Sequence, residues 1–280
     1  MQLSIIVTNY KTPELLKLCL ESIKKTVINI DYKVFVMDAA GDEDTEFAAK
    51  ENFKDFNYVP FEKNVGFRAL VNEGLALVKG KYILILNSDI ILTEDIIGKM
   101  IKYFESDSSI GLLAPQLLNL DGTIQESCFR FFGPMTVLAR RSFFGKTAFG
   151  EKILDRFLMK DFDHQKTREV DWVMASAIMV KESAVEKVGL MDKRFFMYFE
   201  DVDWCRRFWQ NGLKVVYFPE VKLFHYHLRV SKKHGGILDL FTNKYIWIHI
   251  SSAIKYYWKY ALRNLKFKVQ MSNQFQNPND

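Results

Sequence analysis

Residues 82–89 have the sequence YILILNSD, an apolar run followed by Asn87, Ser88 and Asp89. An uninterrupted apolar run of this length is typical of a strand whose two faces are both covered, as in a parallel sheet flanked by helices. Asn, Ser and Asp favour turns. The segment therefore predicts an interior strand with polar side chains at its carboxyl end.

Predicted strands and helices alternate around this run. The strands cover 3–8, 33–37, 56–60, 82–86 and 110–114, and the helices cover 43–52, 67–78 and 94–105, with a further helix that starts at Pro13 with Thr12 as its N-cap. This alternation indicates βαβ units, hence an α/β fold with a mostly parallel sheet. Ligands of such sheets bind beyond the carboxyl ends of the strands. Polar residues follow three of the strands, which predicts a site formed by Thr8, Asn9, Tyr10, Asp38 and Asn87–Asp89.

The pattern becomes less regular after Pro115. A buried strand is predicted over 170–180, a helix from Glu200 to Asn211, and short strands over 215–218 and 221–224. We expect a body of residues 1–228, divided near residue 115, and a separate tail of residues 229–280.

The tail differs from the body in charge and aromatic content. The chain has 280 residues and a net charge of +5, but residues 229–268 contain nine Lys and Arg and one acid, Asp239, giving +8. Trp and Tyr are interleaved with these charges. Such a segment, too interrupted to span a bilayer, predicts one or two amphipathic helices over 237–268 that lie on a membrane surface. The alternative is that its aromatic side chains pack on the body or in a homodimer.

The three cysteines and the first residues predict a location. Cys19, Cys128 and Cys205 are odd in number and lack CxxC spacing, which favours a reducing compartment without disulfides. The first residues, MQLSIIVTNYK, do not have the pattern of a signal peptide. We expect a cytoplasmic protein, with peripheral contact at the inner face of the cell membrane through the tail.

Several polar residues have both a functional and a structural interpretation. Asp89 could bind a hard cation or form an Asx turn. Asp38 could contact the base or ribose of a nucleotide or belong to a turn. Gly66, after Asn64 and before a helix, would let an anion approach or simply join loop to helix. His225 could join a carboxylate on a metal or be structural. No GxGxxG follows the first strand and no GxxxxGK[ST] occurs, which disfavours dehydrogenases and P-loop nucleotidases.

An acidic cluster marks the start of the helix after residue 199. Glu200, Asp201 and Asp203 could stabilise the helix N-terminus, or they could supply a general base whose pKa neighbouring carboxylates raise. The surrounding sequence FFMYFEDVDWCRR is too aromatic for an ordinary exposed helix start. We therefore favour the catalytic interpretation.

Six segments, in this order, resemble the family 2 inverting glycosyltransferases of GT-A fold, and among them the rhamnosyltransferase-like enzymes. They are LSIIVTNYK, FVMDAAGDED, NVGFRALVNEG, YILILNSDI, the stretch from VDWVMASA to EDVDWCRR, and LFHYH. The resemblance spans about residues 3–227. It implies a Rossmann-like, mostly parallel sheet flanked by helices, a nucleotide-binding half over 1–115, an acceptor-side half over 116–228 and a helical C-terminal extension.

The resemblance also implies an activity. A sugar would move with inversion from dTDP-rhamnose or a UDP-sugar to a saccharide or polyprenyl-linked glycan, in the synthesis of a cell-surface polysaccharide, with Mg²⁺ or Mn²⁺ as cofactor. Asp201 would be the base with Glu200 beside it, and Asp89 and His225 would bind the metal. The nucleotide would contact Thr8, Asn9, Tyr10, Asp38, Asn64, Gly66, Asn87 and Ser88.

The sequence departs from the family pattern at three points. Asn87 replaces the first acid of the usual DXD element, which weakens the metal site, and the small segment Ala175-Ser176-Ala177 lacks the usual glycine. Residues 189–193, GLMDK, stand where the family usually has GGFDE. The alternatives are a sugar-nucleotide pyrophosphorylase, which the absence of a Gly-rich basic loop from TNYKTPE disfavours, and a non-catalytic sugar- or lipid-binding homologue, which should have lost Asp201 or Asp89. Nucleic acid is not an expected partner.

Overall fold

The structure, a computed structural model, describes residues 2–52, 56–226 and 244–275. Nine strands of these residues form one mixed sheet, and a further pair forms a small second sheet. The strands are β1 (Leu3–Asn9), β2 (Tyr32–Asp38), β3 (Asn57–Pro60), β4 (Tyr82–Asn87), β5 (Ile90–Leu92), β6 (Ile110–Leu118), β7 (Cys128–Phe129), β8 (Arg168–Glu169), β9 (Trp172–Val173), β10 (Ala177–Lys181) and β11 (Lys214–His225). The helices are α1 (Pro13–Thr26), α2 (Glu43–Asn52), α3 (Phe67–Leu77), α4 (Ile96–Ser106), α5 (Pro134–Arg141), α6 (Ala148–Phe157), α7 (Glu182–Val188), α8 (Glu200–Gln210) and α9 (Lys244–Phe275).

The N-terminal half of the sheet is parallel, in the order β3-β2-β1-β4. All seven residues of β1 are buried, as are the first five of β4. Their apolar runs are continuous because helices cover both faces of these strands. The predicted α/β class and the flanking helices are confirmed.

Antiparallel strands enter the C-terminal half of the sheet. Strand β10 lies between β4 and β6 and runs antiparallel to both, whereas β6 and β11 are parallel. Strands β5 and β8 each pair antiparallel with β11. The sheet is therefore Rossmann-like in its first half and mixed in its second half.

The single strand predicted over 170–180 is wrong. Strand β9 pairs with β7 in the small sheet, and β10 belongs to the main sheet. The residues between them turn because their backbone groups bond elsewhere: Met174 N donates to Ser127 O at 2.9 Å, and Ser176 O accepts from Asn87 N at 2.8 Å. Conversely, the two strands predicted over 215–218 and 221–224 are one strand, β11, with an irregularity in its pairing to β6 after Phe218.

Two apolar clusters cover the two faces of the sheet. One contains the inward sides of α1 and α4, and the other contains those of α3, α7 and α8. Helix α9 adds Ala253, Tyr256 and Tyr260 to the second cluster. A helix in the tail is thus confirmed, and its described part packs against the body; residues 227–243, which include the start of the predicted tail helices, lie outside the described residues.

Within the described part of the chain, no helix is both long and apolar enough to cross a membrane.

Candidate active site

The carboxyl ends of β1, β2 and β4 are joined by a chain of side-chain hydrogen bonds. Asn9 Nδ2 donates to Asp38 Oδ1 at 2.9 Å, and Asn9 Oδ1 accepts from Thr12 Oγ1 at 2.7 Å. Thr12 Oγ1 in turn lies 2.9 Å from Ser88 Oγ. The sequence predicted Thr12 as the N-cap of α1, but its side chain makes no capping hydrogen bond. Its hydroxyl instead connects the three strand ends.

Asp38 is fully buried and has four hydrogen-bond donors around it. Besides Asn9, the backbone N–H groups of Ala40 and Gly41 donate at 3.2 and 3.0 Å, and Tyr58 Oη donates at 2.6 Å. Burial and the neighbouring Asp38 carboxylate raise the pKa of Tyr58 far above its usual value, so the phenol stays a donor. A carboxylate has about four acceptor positions. The predicted contact of Asp38 with a nucleotide therefore requires it to exchange one of these donors and stays a prediction.

The other predicted nucleotide residues of β1 and β4 lie beside this chain. Thr8 Oγ1 donates to Asn87 Oδ1 at 3.0 Å, and Ser88 N donates to Thr8 O at 2.9 Å. Tyr10 follows β1 and is 40% exposed, so its ring is accessible from solvent. The structure thus brings together Thr8, Asn9, Asp38, Asn87 and Ser88 at one sheet edge.

Asp89 and His225 face each other across the same edge. Asp89 Oδ1 lies 3.4 Å from His225 Nε2, and it is buried with no hydrogen-bond donor among the described residues. His225 Nδ1 lies 2.5 Å from Gln125 Oε1, while Gln125 Nε2 donates to Asn119 Oδ1 at 3.1 Å. Because Gln125 Oε1 can only accept, Nδ1 of His225 donates this hydrogen bond, and Nε2 is the ring nitrogen that faces Asp89.

This arrangement suits a divalent cation. A carboxylate oxygen and an imidazole nitrogen are both common metal ligands, and here they lie 3.4 Å apart. Histidine ligands of metals commonly donate their other N–H to an oxygen acceptor, as His225 does to Gln125. No group of three or more acidic, His or Cys side chains that could hold a metal occurs among the residues that the structure describes. Two protein ligands are nevertheless sufficient for a cation that takes phosphate and water as its other ligands.

Asn64 and Gly66 lie in the loop before α3, which contacts the segment before Glu200. Asn64 Oδ1 accepts from Gly66 N at 2.9 Å, and Gly66 has a φ of +81°. A Cβ atom at Gly66 would lie 2.2 Å from the carbonyl oxygen of Phe196. Glycine is therefore required here, because the loop before α3 packs directly on the segment that leads to Glu200.

Glu200 and Asp201 begin α8 after a strained backbone segment. Tyr198 and Phe199 have φ values of 68° and 67°, the left-handed region, which costs on the order of 1–3 kcal/mol per residue. Glu200 is 5% exposed, and its Oε2 atom is buried with no donor from residues 2–52, 56–226 and 244–275. Burial, reinforced by the adjacent Asp201, raises the pKa of Glu200.

Burial also raises the pKa of Asp201, although Val202 N donates to its carboxylate at 2.8 Å and the backbone N–H of Ala175 also favours the charged form. Asp201 thus remains a hydrogen-bonded carboxylate with increased affinity for a proton. These are the properties of a general base that works near neutral pH.

The turn between β9 and β10 connects the two parts of the site. The backbone N–H of Ala175 lies near the Asp201 carboxylate and favours its charged form, and Ser176 O accepts from Asn87 N. The acidic pair and the Asn87–Asp89 segment are therefore joined through two consecutive residues of one turn. In the sequence, this small-residue segment is distinguished only by its departure from the family pattern.

Other contributors gave no sequence signal. Gln125 reaches His225 across 100 residues of sequence, and Thr12 looked like an ordinary cap. Arg68 Nε donates to Phe195 O at 3.0 Å, and its charge lowers the pKa of Glu200, opposing the effect of burial. Asn72 exchanges two hydrogen bonds with the backbone of Met191.

With this geometry established, the family assignment rests on residues 4–154, which match the family model "Glycosyl transferase family 2". The chain belongs to glycosyl transferase family 2. The matched region includes β1 to β6 and the Asn87–Asp89 segment.

Two curated relatives and one solved structure describe the similarity further. The chain is 21% identical to a low-salt glycan biosynthesis hexosyltransferase of Haloferax volcanii over 76% of its own length and 63% of that protein. It is 22% identical to the N-acetylglucosaminyl-diphospho-decaprenol L-rhamnosyltransferase of Mycobacterium tuberculosis, over 82% of this chain and 78% of the relative. A crystal structure of GalNAc-T7 with UDP, GalNAc and Mn²⁺ superposes with a TM-score of 0.60 at 12% identity, covering 84% of this chain and 45% of that one. The chain thus spans less than two thirds of the Haloferax protein and of GalNAc-T7, and the last comparison supports the predicted GT-A fold.

Glu200→Gln should stabilise the protein increasingly as pH rises. The pKa of Glu200 is higher in the folded state than in the unfolded state, so the protonated form favours folding. The wild-type protein therefore loses free energy of unfolding as the pH rises from the unfolded-state pKa towards the folded-state pKa. The glutamine amide does not titrate, so the variant should gain on the order of 2 kcal/mol over wild type between pH 5 and pH 8. Urea unfolding at several pH values measures this. Glu73→Gln, at an exposed position of α3, is the control, and parallel pH curves for Glu200→Gln and wild type would contradict the assignment.

The Asp89–His225 pair predicts metal-dependent nucleotide binding. Asp89→Asn should abolish the Mn²⁺-dependent part of nucleoside diphosphate binding, measured by calorimetry with Mn²⁺ and with EDTA. Gln125→Leu should weaken Mn²⁺ affinity by about 10–100-fold, because His225 loses the group that orients it. Asp44→Asn, at an exposed position of α2, should change neither. Equal Mn²⁺-dependent affinity in Asp89→Asn and wild type would show that Asp89 is not a ligand.

Proposed function

We propose that this protein is an inverting glycosyltransferase that moves a sugar from a nucleotide-sugar donor to a hydroxyl of a saccharide or lipid-linked saccharide. The observation that supports it most is the turn at Ala175–Ser176. This turn connects the half-buried Asp201, whose pKa is raised, to the segment that contains Asn87, Ser88 and Asp89. Membership of glycosyl transferase family 2 supports the same reaction class.

The residues suit a single displacement. Asp201 takes the proton from the acceptor hydroxyl, the acceptor oxygen forms a bond to the anomeric carbon, and the bond from that carbon to the diphosphate breaks. The electron pair leaves with the nucleoside diphosphate, and the anomeric centre is inverted. A divalent cation held by Asp89 and His225 would supply Lewis-acid stabilisation of the diphosphate charge.

The proposed donor is dTDP-rhamnose, with UDP-sugars as the second choice. The Mycobacterium relative is named for rhamnosyl transfer to a diphospho-decaprenol-linked sugar, which supports both a rhamnose donor and a lipid-linked acceptor in polysaccharide synthesis. The proposed nucleotide contacts are the polar residues at the sheet edge, Tyr10, and the loop of Asn64 and Gly66. Thermal shifts with dTDP-, UDP- and GDP-sugars would identify the donor.

Asp201→Asn should lower kcat by roughly 10²–10⁴-fold, because the amide cannot accept the proton. Calorimetric affinity for the donor should stay close to that of wild type. The assay is metal-dependent release of nucleoside diphosphate, with the acceptor and, more slowly, without it. Asp161→Asn, which removes an exposed carboxylate near Arg130, is the control. An Asp201→Asn variant with more than about a third of wild-type turnover would reject Asp201 as the base.

The outer face of α9 is the proposed contact with a membrane. Trp247, Ile254 and Trp258 are 57%, 58% and 68% exposed. Their spacing of seven and four residues places them on one side of the helix, opposite the buried Tyr256 and Tyr260. The basic charge of residues 229–268 favours an anionic lipid surface, and each nearby Lys or Arg adds about 1 kcal/mol. We propose that this face holds the site near a lipid-linked acceptor at the cytoplasmic side of the membrane.

Trp247→Ser/Trp258→Ser should lose vesicle binding that the wild-type protein shows. The expected result is flotation of the full chain with phosphatidylglycerol vesicles at low salt and its loss in the double variant or at high salt. Phe47→Ser, at an exposed aromatic residue of α2, is the matched control. Wild-type protein that stays unbound would overturn the proposal. A tryptophan-dependent dimer in light scattering would assign the face to a second copy instead.

A further inference from the structure

Helix α9 contacts the strained segment that precedes the acidic pair. Ser252 Oγ donates to Met197 O at 2.9 Å. The ring of His249 lies 5.1 Å from that of Tyr198 and 5.3 Å from that of Phe199. The ring of Tyr256 lies 5.3 Å from Phe199 on the same side. Two successive turns of α9 thus contact Met197, Tyr198 and Phe199, the three residues before Glu200.

A second group of contacts joins α9 to α8 itself. Asp203, one helical position beyond Val202, is completely buried and accepts from Tyr260 Oη at 2.8 Å and from Arg207 Nε at 2.9 Å. Lys259 Nζ also bonds to Asp203 and lies 2.7 Å from Asp192 Oδ2. Asp203 is therefore an anchor for α9, and its role differs from that of its neighbours Glu200 and Asp201.

A third contact comes from Arg206, on the same helix as the acidic pair. Its guanidinium lies 4.0 Å from the ring centroid of Tyr260 and donates to Tyr256 Oη at 2.9 Å. Helix α9 thus holds the first two turns of α8 through hydrogen bonds, ion pairs and aromatic contacts.

We propose that α9 is a positioning element for the acidic pair: Ser252, His249 and Tyr256 hold the left-handed turn at Tyr198–Phe199, and Tyr260 and Lys259 hold α8 through Asp203. Left-handed Tyr and Phe persist only where surrounding contacts determine the backbone. A base that directly follows such a turn moves when the contacts are lost, and displacement of about 1 Å can cost 10²-fold in rate. The inference rests on the proposed function, since it gives Asp201 the role of base.

The test removes single hydroxyl groups and leaves the packing in place. Ser252→Ala deletes the bond to Met197, and Tyr260→Phe deletes the bond to Asp203. The helix supplies a matched control for each. Ser251→Ala changes an exposed serine, and Tyr257→Phe deletes a hydroxyl that donates to Gly133 instead, at 3.0 Å.

Steady-state kinetics and amide hydrogen exchange of the full chain are measured for all four variants and for Ser252→Ala/Tyr260→Phe. The double variant should lose about 10–100-fold in kcat, with the donor KM within about twofold of wild type. Amides of residues 198–201 should exchange faster. The two control variants should match wild type in both measurements.

Two results would overturn the positioning role: unchanged exchange at residues 198–201 in the double variant, or faster exchange there with unchanged kcat. The proposed function fails separately, if the wild-type protein neither transfers nor hydrolyses any of the nucleotide-sugars. In that case the base assignment fails with it, and the exchange data decide only whether α9 holds the turn.

Discussion

The hydrogen bond from Asn87 N to Ser176 O, together with the approach of the Ala175 backbone N–H to Asp201, determines how the site is assembled. Strand β4 ends at Asn87, and the turn before β10 meets it there because β10 pairs antiparallel with β4. The adjacent residue of the same turn holds the carboxylate of Asp201. A single tight turn of small residues therefore connects the Asn87–Asp89 segment to the acidic pair.

Asp38 and Glu200 are both buried carboxyl groups, but they differ in how many hydrogen-bond donors surround them. Asp38 is buried with four donors, so its charge is stabilised by hydrogen bonds within the protein. Glu200 is buried with one oxygen that no described residue hydrogen-bonds, and burial shifts it towards its neutral form. The first arrangement connects strand ends rigidly. The burial of Glu200 disfavours its ionised form directly beside Asp201. Environments of this kind are those in which carboxylates become bases near neutral pH.

Much of the fold could be predicted from the sequence because its strands are buried on both faces. Continuous apolar runs gave β1, β2 and β4 to within one or two residues, and the polar residues that end them mark the sheet edge. The break at residues 174–176 could not be predicted, since the segment is apolar almost throughout and only pairing with two different sheets interrupts it. The hydrogen bonds that Gln125 and Thr12 make in the site could not be predicted either. Their roles depend on partners 100 and 76 residues away, and no local pattern contains that information.

The position of β10 has a consequence for how the chain is made. This strand lies between β4 and β6, yet a ribosome synthesises it after both. Until residue 181 has emerged, β4 has one unpaired edge and β6 has two, because its other neighbour, β11, is synthesised after β10. Such edges, rich in apolar residues, are sites for pairing with other chains. Closure requires contacts between residues almost a hundred positions apart in sequence, and such contacts form slowly. The nascent protein is therefore most vulnerable to aggregation between the synthesis of β6 and that of β11, an interval in which chaperones should matter most to its yield.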